Sequence, residues 1–279
     1  MYSRATPFEK SDELIGTHQK IDRAARLILR EIMKDKHKEK SLDEFPKINQ
    51  ILHFEGKNGP DGIKMKSPGK DEPWHFVDPH GDMTQMKTYV ENHIYNLAQA
   101  LERQDQVRAS FEAAWLAHAV TDALTPAHQY PMEDKIIELT GKPPSARSKL
   151  SQKMFLPADT WREGAKINWE YIGPKGVMTT HMLYELGVAV LISPIAPRSL
   201  AKKPHKNDLE RVLDGHFMEL LEEKINYVAD CRYYQRFTSS GWTNRLTLET
   251  ADELLPQISQ VVALAWLAGI EEFKKWTSD

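Results

Sequence analysis

The run Ala113, Ala114, Trp115, Leu116, Ala117, His118, Ala119, Val120, Thr121, Asp122 constrains the fold more than any other stretch of this chain. It is apolar on almost every side, so a helix built from it has to be enclosed by other elements. His118 and Asp122 stand four residues apart and share one face of that helix. An imidazole and a carboxylate enclosed in this way are costly unless something compensates them. A hydrogen-bonded His–Asp pair would do so, and so would a bound cation. The run therefore calls for a helical assembly with a polar centre.

The rest of the chain is consistent with that demand. Strand signals are scarce and helical periodicity is common. Ile21, Leu27, Ile28 and Ile32 keep helical spacing from His18 onward, and the charged run Lys34 to Lys40 reads as a solvated face. Residues 56–79, rich in Gly, Pro and Asp, read as an extended loop. A long helix is expected from Thr84 to Gln106, with Met86, Val90, Ile94, Leu97 and Leu101 on one side. A second is expected from Ser110 to Leu124, stopped by Pro126. Residues 129–180 read as irregular, with a short helix at Met132 to Leu139 and a Trp/Tyr-rich stretch. A helix bearing His181 and Glu185 follows, then two more near Lys206 to Tyr234 and Leu248 to Lys275. With no internal repeat or low-complexity linker, the expectation is a single all-α domain spanning residues 1–279.

With 41% hydrophobic residues in 279, there is ample material for a core, so a metal is not needed merely to hold a small scaffold together. A net charge of −3 gives no electrostatic reason to expect duplex nucleic acid as a partner. The lone Cys231 rules out an intramolecular disulfide. The first residues lack the apolar core of a signal peptide. No uninterrupted apolar run reaches the roughly 18 residues that span a bilayer. These features together lead to the expectation of a cytoplasmic protein without a transmembrane segment, secretion being the alternative where a leader has been removed.

Further polar residues accompany the first pair. Pro126 ends the His118 helix, so the chain can turn His128 back towards it. His181 and Glu185 repeat the four-residue spacing among Leu183, Leu186, Val188 and Val190. Imidazole nitrogens and carboxylate oxygens are the donors that zinc takes. Two helices each offering such a pair, with a histidine at a helix end, are how bundles build metal centres. Taken singly, the remaining candidates have plainer readings. Asp61 reads as a turn aspartate, His75 as a packing residue between Trp74 and Phe76, and His18 as a surface or capping-region residue. Asp22 reads as an exposed helix charge or as a partner of His18, four residues before it. His37, His53 and His205 read as surface residues, and His80, His93 and His216 have no evident ligand-like partner.

In their order, these residues resemble the zinc-dependent phospholipase C family and the related single-strand-specific nucleases. The matching elements are Thr17-His18, Pro60-Asp61, His75-Phe76-Val77-Asp78-Pro79, His118 with Asp122 and His128, and His181 with Glu185. The resemblance spans residues 14–275 and has Val77 where the family has an aromatic. It implies an all-α multi-helix bundle of the phospholipase C type that holds three zinc ions. Asp61, His75, His118 and Asp122 would hold the first ion. His128, His181 and Glu185 would hold the second, and His18 with Asp122 the third. In the family an N-terminal Trp completes the third site; this chain has no Trp before Trp74. The stretch between His128 and His181 is longer than in the small phospholipases, an insertion of roughly 50 residues (129–180) that would serve as a lid or substrate wall.

The implied activity is hydrolysis of a phosphodiester, on a phospholipid head group or a related small molecule, with zinc acidifying the attacking water. Asp61 would orient or deprotonate that water, and Trp74 and Phe76 would line the substrate pocket. A nuclease or nucleotidase on the same metals is the alternative, as is a metal-binding structural protein without catalysis. A di-iron carboxylate protein would need more Glu and a Glu-x-x-His spacing.

Overall fold

The computed structural model describes residues 16–35, 39–67, 76–143 and 146–277, and among these there is no strand. The chain is all-α. The helices are α1 (Thr17–Asp35), α2 (Glu39–Glu44), α3 (Ile48–Leu52), α4 (Pro60–Lys66), α5 (Thr84–Glu102), α6 (Gln106–Ala123), α7 (Met132–Thr140) and α8 (Trp161–Ile172). They continue as α9 (Val177–Ile192), α10 (Pro197–Leu200), α11 (Lys206–Leu213), α12 (Phe217–Asp230), α13 (Tyr233–Ser240), α14 (Asn244–Glu249) and α15 (Leu255–Thr277).

The centre is made by α1, α5, α6 and α15, which pack on one another. α6 can be enclosed because its contact residues are small: Ala109, Ala113, Ala114, Ala117, Ala119 and Ala123 are all buried. Small residues let neighbouring backbones approach. α15 supplies the bulk against them, with Ile258, Val262, Leu264, Trp266 and Ile270 buried. The Trp266 indole N–H, fully buried, donates to the Ala113 carbonyl at 2.8 Å, so its one polar atom is satisfied.

The helical run Asn244–Lys274 is long and apolar enough to cross a bilayer by length and composition, and 78% of its apolar window is buried inside the protein. It therefore serves as the core helix of the bundle. Sequence reading finds no uninterrupted run there because Gln257, Ser259 and Gln260 break it.

Three expected boundaries move. The long helix expected to reach Gln106 ends at Glu102, and a turn with Gln104 at φ 54° leads directly into α6, whose N-cap Asp105 accepts from the Arg108 amide at 2.9 Å. The single helix expected over Lys206 to Tyr234 is broken at Gly215 (φ 91°) and Arg232 (φ 54°). The extended loop expected over 56–79 holds a 3-10 turn (Gly56–Asn58) and α4. Gly62 is required there: a Cβ on it would stand 2.1 Å from the Lys57 carbonyl oxygen.

Residues 129–180 are more regular than expected. α7, a 3-10 turn (Leu150–Lys153) and α8 surround a small apolar cluster of Met132, Ile136, Leu156, Ile167 and Tyr171. Phe76 and Tyr130 pack against that cluster. Trp161 and Trp169, on α8, are exposed, whereas Arg147 is buried.

Candidate metal centre

Each polar residue of the centre is delivered by a separate local device. α1 starts at Thr17 and carries His18 and Asp22 on its buried side. α6 carries His118 and Asp122 into the bundle, at 3% and 0% exposure. After α6, Pro126 opens a 3-10 turn (Pro126–Gln129) that places His128 fully inside the protein. The Val77 amide donates to the His128 carbonyl at 3.1 Å, which pins the loop bearing Phe76 beside it. Asp61 sits in the first turn of α4, behind Pro60, so it is a helix N-terminal residue and not the turn aspartate expected. α9 brings in His181 and Glu185.

Two groups result: His18, Asp61 and His118, and His128, His181 and Glu185, with ligand atoms in each group within 4.8 Å of one another. Asp122 lies between them. Its Oδ1 is 3.5 Å from His18 Nε2 and 3.1 Å from His128 Nδ1, and its Oδ2 is 3.3 Å from His118 Nε2. The other separations are 3.6 Å for His118 Nε2 to Asp61 Oδ1 and 3.3 Å for His181 Nε2 to Glu185 Oε1. Good hydrogen bonds fall at about 2.7–3.2 Å. Two atoms bound at about 2.0–2.2 Å to one tetrahedral ion lie roughly 3.3–3.6 Å apart. Most of the distances match the second spacing. The exceptions are His128 Nε2 to Glu185 Oε1 at 2.8 Å and His128 Nδ1 to Asp122 Oδ1 at 3.1 Å, both within hydrogen-bond range. The His18 and His118 rings stack at 4.0 Å, and those of His128 and His181 at 5.3 Å. His181 Nδ1 is buried without a hydrogen-bond partner among the described residues.

These surroundings set the charges. Burial opposes charge on His118, but the carboxylates of Asp122, Glu55 and Asp61 outweigh it and hold its pKa well above the usual histidine value. His18 moves the other way, lowered by burial and by the neighbouring His118. Burial works against ionised Asp61, yet His118 outweighs it and keeps that carboxyl far below the usual range. Glu185 is likewise held well below its ordinary value, burial being outweighed by contributions that include His181 and His128.

The centre contains residues that the sequence does not single out. Glu55, fully buried, places Oε2 3.3 Å from His118 Nδ1 and so contacts the ring nitrogen opposite Asp61 and Asp122. Asp22, expected to be exposed, is buried, and burial with the nearby Glu55 carboxylate raises its pKa well above the usual value. The spacing of Asp22 from His18 is a signal for it; Glu55 has none. Lys64 stands 5.7 Å over the Phe76 ring, which itself meets His128 and His181 at 5.6 and 5.8 Å between ring centroids. His75 and Trp74 lie outside the described residues. His93, for which no partner was expected, pairs with the buried Glu112, which Arg108 also contacts. No protein-family model matches this chain, and no curated protein or solved structure matches it.

Proposed function

We propose that this protein is a zinc-dependent hydrolase of phosphodiester bonds, of the phospholipase C type. The observation that carries the reading is Asp122, one buried carboxylate at ion-sharing distances of 3.5 and 3.3 Å from His18 and His118 and at 3.1 Å from His128 of the second donor group. His128, His181 and Glu185 would hold one ion. His18, Asp61 and His118, with Asp122, would hold the other, and His75 would be a further ligand by its motif position. A donor set rich in imidazole favours zinc over magnesium or calcium, which take oxygen. Bound zinc would acidify a water towards neutral pH and neutralise charge on the phosphoryl oxygens.

The chain's own residues supply the rest. Asp61 is the most exposed member of the set, its side chain at 23%, so it is the carboxylate that meets substrate and attacking water. Its strongly depressed pKa suits it to orient that water more than to retain its proton. Phe76 forms an aromatic wall beside His128 and His181. Lys64, over that ring, brings positive charge to where a phosphoryl group would lie.

The test is metal analysis of the purified protein together with an EDTA-sensitive assay on phosphatidylcholine, single-stranded DNA and a chromogenic phosphodiester. Bound zinc with EDTA-sensitive release of the phosphatidylcholine head group is the expected result. Cleavage confined to DNA would give the nuclease reading, and tightly bound zinc with no hydrolysis a metal-binding protein without catalysis. Asp122→Asn should lose metal and activity together; full turnover by a metal-free Asp122→Asn protein would overturn the proposal.

A further inference from the structure

A second constellation lies on another flank of α1. Arg23, Arg26 and Arg30 line a cavity of about 680 Å³ together with Lys47 and Arg198. They stand on a different side of the helix from His18 and Asp22. Among the described residues Asp43 is the one acidic member of the lining, and Leu27, Leu42, Ile48 and Pro197 supply apolar surface. The volume is that of a small-molecule site. In a chain of net charge −3, five cations facing one carboxylate are a local reversal of sign.

The guanidinium groups are poorly compensated. Arg23 donates to its own helix at Gln19 O at a long 3.4 Å, and Arg26 donates to Pro46 O at 3.3 Å while lying 5.4 Å over the Phe45 ring. Arg30 Nε is 3.6 Å from Glu31 Oε1, beyond hydrogen-bond range. Among the described residues no ion pair is made by Arg23, Arg26 or Arg198. Burial, with Arg30 beside it, pushes the Arg26 guanidinium down to about 10, and Asp43 only partly offsets this. Each guanidinium offers five N–H donors, and this one cavity gathers four of them.

We infer that the cavity between α1, residues 42–48 and residues 196–198 binds an organic phosphate with an apolar portion, separately from the metal centre. A doubly charged phosphate with three free oxygens uses several arginine forks at once, whereas a carboxylate offers two oxygens. The apolar lining takes the remainder of the molecule. The inference does not depend on the zinc reading.

Calorimetric titration of the full-length protein with octylphosphonate, methylphosphonate and octanoate tests it, since none of these can be cleaved as a phosphodiester. Octylphosphonate should bind most tightly. Arg198→Gln, at an exposed position that leaves folding intact, and Arg26→Gln with Arg30→Gln should each weaken it about tenfold. Flotation with vesicles containing phosphatidic acid, whose head group is a phosphate monoester, identifies the source. Vesicle binding lost in the same variants marks a lipid head group, and octylphosphonate binding without vesicle binding marks a soluble ligand. Octylphosphonate affinity unchanged in both variants, no binding at millimolar concentration, or octanoate binding equally well would each overturn the inference.

Discussion

His118 shows how much one residue's surroundings decide. Its Nε2 faces Asp61 and Asp122, and its Nδ1 faces Glu55. The three carboxylates hold a proton on the metal-free ring at neutral pH. Zinc has to displace that proton, so below the raised pKa the affinity should fall about tenfold per pH unit, and above it the dependence should vanish. Zinc titration in two buffers of different ionisation enthalpy measures the proton released; no release at neutral pH would contradict the assignment. Glu55→Gln removes the charge behind the ring and should lower zinc affinity about 10- to 100-fold. Asp22→Asn should behave differently. Burial and the Glu55 carboxylate favour the neutral form of Asp22, so the isosteric amide should change stability by about 1 kcal/mol or less and leave zinc affinity alone. The contrast also explains what was legible. Spacing exposes His118, Asp122, His128, His181 and Glu185, and His18 enters only through the ordered resemblance, but Glu55 reaches His118 only through the tertiary fold, from a position 63 residues away.

At the scale of elements, the centre depends on how α1 meets α9. Lys20 extends its ammonium into the C-terminal end of α9, bonding Ile192 O at 2.8 Å and Ile195 O at 3.1 Å, with Ser193 O a third partner. These carbonyls lie at and just beyond the C-terminal end of α9, where positive charge is favoured. One helix carries His18 and the other His181 and Glu185, so Lys20 clamps the two donor groups together. Lys20→Met should cost about 2–3 kcal/mol and lower zinc at the His128, His181, Glu185 group more than at the other. Urea melts and a zinc count per chain check this; unchanged metal content would reduce Lys20 to a packing role. α5, with its apolar face, and α6, apolar nearly all round, were legible to within a few residues. α8 was not, although Thr160 and Glu163 have capping spacing and the Thr160 hydroxyl accepts from the Glu163 amide at 3.3 Å. Its exposed tryptophans mask the amphipathic pattern. The break between α5 and α6 is hidden for another reason: its positive-φ residue is Gln104, where sequence reading looks for glycine.

At the scale of the whole molecule, the donor groups sit at a seam. The large core is built on α1, α5, α6 and α15, and the small one on residues 129–180. Phe76 packs against the small core and against His128 and His181, and the Val77 amide holds the same loop to His128. Zinc at the second group would therefore join the two cores through side chains, in addition to adding binding energy. At 100 to 1,000 times its dissociation constant a ligand adds roughly 3–4 kcal/mol of stability. Chelation should withdraw that amount without unfolding the bundle, because the packing of α5 against α15 in the large core is apolar and carries no metal donor. Hydrogen exchange with and without EDTA is the direct measurement. Protection should fall in residues 76–79, 126–129 and 177–185, where the backbone positions Phe76, His128 and His181. It should hold in α15, whose Val262, Leu264 and Trp266 are enclosed and which carries no donor itself. Uniform loss across both cores would mean that metal holds the whole bundle together, and no change at the seam would mean that no ion binds there.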